Sequence, residues 1–371
     1  MITLSIDAAR VQRELAALAA FTTPGSRGIT RRLPSPAYRE ARAWLATLMA
    51  DAGLAVRVDP AGNLIGRRDG GDAAGPVLLV GSHSDTVIDG GAYDGALGVL
   101  GAVEAARALR AAGIALRHPL EVVDFLSEEV SDFGPSAIGS RAMAGTLQVE
   151  WVARRSPAGV SLGEAMREMG GIPERVKEAA RPRGHLAAYL ELHIEQGPQL
   201  ERSGVQVGVV QGIAGIRRYQ ATVEGQPDHA GTTPMDMRKD ALAGAAEIVL
   251  MIERLCRIAG SPMVGTVGQM TLAPNVSNVI PGLAELTFEV RGPDEERIAP
   301  LCQSILEEAA ALAEARGLTW RCESSGFVPP VAAAPLIVNA IEEVSRRRGY
   351  STMRLYSGAG HDGSHIAGIA P

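Results

Sequence analysis

The stretch VLLVGSHSDTVIDGGAYDGALGV, Val77–Val99, decides the architecture. Val77–Val80 is an apolar run without polar alternation, the mark of a strand buried on both faces, as in parallel sheets covered by helices. A glycine-rich turn leads into ALGVLGAVEAARALRAAG, whose apolar residues recur at helical spacing, and LEVVDFLSEE then gives a second buried strand. Strand, helix and strand in that order predict a right-handed βαβ unit. Loops beyond the carboxyl ends of such strands are where chemistry is usually placed. Here that loop crowds His83, Asp85, Asp89 and Asp94 among five glycines.

Outward from this unit, AAYLELHIEQG, Ala187–Gly197, reads as another buried strand ending in polar groups. After about Gly212 the texture changes. Tyr219, Ala221 and Val223 alternate with polar neighbours, as do Ala284, Leu286, Phe288 and Val290, so these strands have one wet face. Between them Leu242, Ala245, Val249, Ile252 and Cys256 recur at helical spacing, and a second helical stretch follows Asp294 before the strand LTWRCES. The order β-α-β-β-α-β predicts a small antiparallel sheet with two helices on one side. The predicted fold class is therefore α/β, a mostly parallel-sheet domain formed by residues 1–211 plus 327–371, with an α+β domain inserted at 212–326.

Bulk properties exclude several classes. At 371 residues, 46% hydrophobic and 21% charged, the chain is long enough for two folded domains. A formal net charge of −6 without a basic stripe argues against a nucleic-acid partner. No apolar run approaches the roughly 20 residues of a membrane span, and the amino-terminal segment carries charges through its apolar positions, so a cytoplasmic protein without a membrane partner is expected. Cys256, Cys302 and Cys322 lack CxxC spacing and suggest neither a disulfide framework nor a thiolate metal site.

Any metal must then use imidazole and carboxylate. Four strand-end segments offer such groups: His83 with Asp85, Asp94, the pair Glu128 and Glu129, and His193 with Glu195. This ligand set suits zinc, manganese, cobalt or nickel. Asp85, two residues after His83, is placed to accept the second ring N–H and orient the imidazole. Adjacent glutamates suggest a division of labour, one binding metal and the other moving a proton.

The segments GSHSDTV, GGAYDGALGV, FLSEEVSDFGPSAIGSRAMAG, LELHIEQGP, DHAGTTPMDMRKDA, NVSNVIPG, FEVRGPD and SGAGHD together resemble the metal-dependent amidohydrolases of the peptidase M20 type. The resemblance is to the branch of N-carbamoyl-L-amino-acid hydrolases, allantoate amidohydrolases and β-ureidopropionases. It implies a metallohydrolase domain carrying two divalent ions (Zn, Mn, Co or Ni), with Asp94 bridging them, His83 and His193 on one and Glu129 on the other. It further implies Glu128 as general base, His229 as an oxyanion-stabilising catalytic residue, and substrate contacts from Gln196, Asn278, Arg291 and Gly360, with Arg291 clamping a substrate carboxylate. Asp85 and His361 would support the metal ligands from behind. The inserted domain would serve as lid and as the interface of a homodimer. The substrate would be a small carboxylate bearing a ureido group, an N-carbamoyl-L-amino acid first and allantoate second, with an M20-type aminoacylase or dipeptidase, or a catalytically impaired metal-binding protein, as further alternatives. The family's pattern runs past the SGAGHD segment to a further histidine on the Glu129 metal, to which no residue here corresponds: a protein ending at Pro371 would have an under-coordinated Glu129 site, whereas a longer protein truncated here would be an ordinary member. EEVSDFG also departs from the more usual EEGSRFG.

Overall fold

The computed structural model describes residues 4–371, which fall into two compact units. The first comprises the chain up to Gln206 together with His361–Pro371. Its elements are α1 (Ala8–Ala19), α2 (Pro36–Asp51), β1 (Ala55–Val58), β2 (Leu64–Arg68), β3 (Val77–His83), α3 (Ala96–Ala111), β4 (Leu120–Phe125), α4 (Ile138–Met143), α5 (Leu162–Glu168), β5 (Leu186–Leu190) and α6 (Gln199–Ser203). One five-stranded sheet, in the order β1-β2-β4-β3-β5, organises it. The expected βαβ unit is β3-α3-β4, with β3 and β4 in parallel. α2 begins cleanly because the Ser35 hydroxyl accepts from Tyr38 N and Pro36 stands in the first turn. It buries Tyr38, Ala41, Leu45 and Met49, one face at helical spacing.

The expectation of a mostly parallel sheet is corrected. β3 pairs in parallel with β4 and β5, but β2 runs antiparallel to both β1 and β4. The reason is local: Asp59 accepts from the backbone and side-chain nitrogens of Asn63, closing a tight turn, and only antiparallel neighbours can be joined so briefly. The sheet is mixed. Its parallel centre is still buried, β4 over its whole length.

The second unit spans Val207–Gly360. It contains β6 (Val207–Ile213), β7 (Gly215–Glu224), α7 (Ala241–Ala259), β8 (Val264–Ala273), β9 (Leu283–Gly292), α8 (Glu295–Ala315), β10 (Thr319–Val328), β11 (Val331–Ala332), α9 (Pro335–Arg347) and β12 (Thr352–Ser357). β7, β8, β9 and β10 make an antiparallel sheet in the order β10-β7-β9-β8. One face of it packs Tyr219, Ala221, Val223, Leu286, Phe288 and Val290 against Ile248 and Ile252 of α7 and Ile298 and Ile305 of α8. The unit is wider than 212–326 because β6 pairs antiparallel with β11 and parallel with β12, which ties the chain on either side of the four-stranded sheet together. A last short helix, α10 (Gly363–Ile366), returns to the first unit, where Ile366 is buried with Ile65, Val123 and Phe125.

Candidate active site

The carboxyl ends of β3, β4 and β5 converge three segments. His83 is the last residue of β3, is almost fully buried, and its Nδ1 lies 3.1 Å from the Asp85 carbonyl. His193 follows β5, and its Nδ1 lies 2.8 Å from the Ile194 carbonyl. A carbonyl can only accept, so each ring carries a proton on Nδ1 and turns Nε2, the nitrogen a cation would take, toward the site. Asp94 reaches the same point from the loop before α3, where Gly95 adopts φ +62; a Cβ there would lie 2.5 Å from His83 Nε2, so only glycine allows this approach.

Ligand atoms of His83, Asp94 and His193 all lie within 4.8 Å of one another. His193 Nε2 is 3.1 Å from Asp94 Oδ1 yet buried without an aligned hydrogen bond. Two imidazole lone pairs and a carboxylate gathered this closely fit a divalent cation. Burial opposes ionisation of Asp94, but the nearby His193 and the Gln196 amide outweigh it and lower its pKa to about 2. Gln196, held at φ 55, donates to both Asp94 oxygens at 3.0 and 2.8 Å.

The Asp85 carboxylate does something the sequence reading did not assign to it. It accepts the backbone N–H groups of Glu128 and Glu129, both at 3.1 Å, while its Oδ1 stays 3.6 Å from His83 Nδ1. One buried carboxylate thus fixes the loop that carries both glutamates. Glu128 Oε2 lies 3.7 Å from His83 Nε2. Burial, reinforced by Asp85, Glu129 and Glu191 against the attraction of His83, raises the Glu128 pKa to about 8. Burial also raises Glu129. Among the described residues, neither glutamate joins the compact ligand groups. Burial disfavours the His83 imidazolium, but Asp85 and Glu128 prevail and hold its pKa well above 6.5.

His361 stands with its ring centroid 4.4 Å from that of His193, and burial lowers its pKa to about 4. It also belongs to a second close group with Glu191 and His193. Glu191 escaped the sequence reading, although its position two residues before His193 places both on one side of an extended chain. It accepts from Ser82 Oγ at 2.6 Å and Tyr189 Oη at 2.9 Å. Asp362, fully buried and with its pKa pushed far up by burial and by Glu128, was also missed. Glu195 is accounted for differently: its carboxylate accepts from Gln199 N and Leu200 N at the start of α6.

The remaining expected residues lie in the second unit. His229 is exposed and accepts from Gly231 N at Nδ1, 3.0 Å, which leaves Nε2–H as a donor. Asn278 is exposed beside it, its carbonyl accepting from Ala230 N at 2.9 Å. Arg291 on β9 is engaged rather than solvated: Nε and Nη2 meet Glu289 Oε1 at 2.7 and 2.6 Å, and Nη1 donates to the Gly358 carbonyl at 2.8 Å. Gly360 ends the unit, with nothing within 4 Å of where a Cβ would stand.

Residues 79–371 match the peptidase family M20/M25/M40. The chain belongs to this family. Among similar proteins, an N-carbamoyl-L-amino acid amidohydrolase of Geobacillus stearothermophilus is 41% identical over 366 residues, 99% of this chain and 89% of the relative. The allantoate amidohydrolase of Bacillus subtilis is 36% identical, covering 94% of this chain and 84% of the relative. A hydantoinase/carbamoylase family amidase from Burkholderia ambifaria superposes with a TM-score of 0.92 at 35% identity, covering 100% of this chain and 90% of the other. This M20 chain, among its described residues, has no helix long and apolar enough to cross a membrane.

Proposed function

We propose that the chain is a metal-dependent amidohydrolase that uses water to split a linear, non-peptide C–N bond, converting an N-carbamoyl-L-amino acid to the amino acid, ammonia and carbon dioxide. The observation that carries this reading is a buried, proton-avid Glu128 beside the His83, Asp94 and His193 trio. His83, Asp94 and His193 would hold one ion, and Asp94 with Glu129 a second. Divalent cations bound there supply Lewis-acid polarisation of the carbonyl and make water a competent nucleophile near neutral pH.

The chain's own groups divide the rest of the work. Glu128 takes the proton of the attacking water and returns it to the departing nitrogen, a role its burial beside the trio suits. Asp85 keeps Glu128 and Glu129 in place through their backbone N–H groups. Asp85 and His361 back the ligands. Arg291 receives the substrate carboxylate on its guanidinium fork, taking over the role Glu289 plays in its absence. His229 offers Nε2–H to the developing oxyanion, and Gln196, Asn278 and Gly360 orient the ureido group.

Allantoate is the second reading, favoured by the Bacillus subtilis relative. The proposal includes a cytoplasmic homodimer in which the second unit is both lid and interface. In support, β8 is an outer strand of ten residues, largely exposed, and uncovered edges of this length invite pairing with another chain. Ammonia release from a panel of N-carbamoyl-L-amino acids, allantoate and dipeptides, after loading with manganese, zinc, cobalt or nickel, tests the reading. Turnover of dipeptides alone would refute it.

A further inference from the structure

At the amino ends of β4 and β5, the end of the sheet opposite Glu128, a cavity of about 360 Å³ opens among Arg57, Arg67, Glu121, Arg181 and His185. Arg67 and Glu121 are register partners on β2 and β4, so their side chains share one face of the sheet. Glu121, 2% exposed, meets Arg57 Nη2 at 3.2 Å and Arg67 Nη1 at 3.5 Å through Oε1, and Arg181 Nη2 at 2.5 Å through Oε2.

We propose that this cavity is a second binding site, taking a small oxyanion of the carboxylate or phosphate type. The other acids nearby are committed elsewhere. Asp59 is held by Asn63, Glu178 by Arg175, and the exposed Asp69 by Arg67 Nε. Among the described residues, Glu121 carries the ion pairs of both Arg57 and Arg181, with Asp59 close enough to act on both through space, and one paired carboxylate does not satisfy two guanidinium forks. The Arg181 side chain is 9% exposed, and its Nη1 is buried without a hydrogen-bond acceptor. A buried donor on a charged group left unpaired is costly, and an oxyanion entering between Arg181 and Arg57 would relieve it. Arg57 remains 46% exposed, able to swing onto such a ligand. His185 reports the same field: after burial, Arg181, Arg67 and Arg57 lower its pKa, against Glu121. None of these groups belongs to the candidate active site, so the second site is independent of the proposed chemistry.

The test is thermal unfolding of the full chain in rising inorganic phosphate and, separately, succinate, with ionic strength matched by sodium chloride. It is run on the unaltered protein and on Arg57→Gln, Arg67→Gln and Arg291→Ala. Either anion is expected to raise the midpoint, with an apparent affinity about tenfold weaker in Arg57→Gln and unchanged in Arg291→Ala. Response to phosphate only or succinate only names the preferred anion. No response to either, equal responses in the Arg57 variant, or loss of the response in Arg291→Ala overturns the proposal. Should Arg57→Gln fail to fold, Arg67→Gln carries the same comparison.

Discussion

Replacing Glu128 by Gln should stabilise the metal-free protein at alkaline pH while nearly abolishing turnover of the loaded one. Burial raises this carboxyl from 4.5 to about 8. A folded pKa above the unfolded one means no penalty below pH 4.5, a penalty that grows as the pH climbs toward 8, and its full size beyond. At about 1.4 kcal/mol per unit the rise is worth at most about 5 kcal/mol. Glutamine has the same shape and no charge to desolvate, so the variant escapes the penalty. Asp362, whose own pKa Glu128 helps to raise, titrates with Glu128, so the observed midpoint belongs to the pair. Urea unfolding in chelator at pH 5, 7 and 9 reads the difference between variant and parent, in which the titrations of groups remote from Glu128 cancel. The gap should be below about 1 kcal/mol at pH 5 and several kcal/mol in favour of the variant at pH 9. A gap independent of pH, or a variant less stable at pH 9, would refute the desolvation argument. With metal restored, kcat should fall by about 10² to 10⁴, the usual contribution of a general base.

Asp85→Asn removes the charge from an acceptor of two part-buried N–H groups and should cost roughly 1.5–3 kcal/mol in urea unfolding, with lower bound metal by elemental analysis. His193→Ala deletes one of three converging ligand groups and should leave less than one tightly bound ion per chain after dialysis, whereas His229→Ala should leave metal content unchanged and lower kcat. Arg291→Ala should raise KM for a carboxylate substrate by roughly 10- to 100-fold, the worth of a charge-assisted hydrogen bond, and barely alter hydrolysis of a neutral ureido analogue. Gly95→Ala forces a Cβ to within 2.5 Å of His83 Nε2 at a positive φ and should abolish metal binding even where the fold survives, as read by circular dichroism alongside metal content.

What the sequence disclosed follows from which interactions leave a pattern in it. The βαβ unit was legible because β3 and β4 are buried on both sides of a sheet and so are written as unbroken apolar runs. The β1-β2 hairpin was not, since β1 is four mostly exposed residues with no such run, and it turned a sheet expected to be mostly parallel into a mixed one. In α7 the helical period was right but the stripe was misplaced: Ala241, Ala245, Ile248, Ile252 and Cys256 are buried, while Leu242 and Val249 lie at its margin. A one-residue rotation is below what periodicity alone resolves.

The site divides along the same line. His83, Asp94 and His193 stand out because imidazoles and carboxylates recur beyond the carboxyl ends of several buried strands, where ligands of such sheets bind. Asp85 was recognised as a supporting residue, yet its partners are the backbone N–H groups of Glu128 and Glu129, which every sequence possesses and none advertises. Arg291 stands out in the sequence as a candidate clamp for a substrate carboxylate, and its fork rests on Glu289, two residues earlier on the same face of β9. On the proposed reading of Arg291, a substrate carboxylate would compete with Glu289 to bind, and affinity at this position would depend on exchange of one carboxylate for another. Glu289→Gln should then lower KM for carboxylate substrates by leaving the fork without its charged occupant. A raised KM would instead mean that Glu289 holds Arg291 in the orientation the substrate needs.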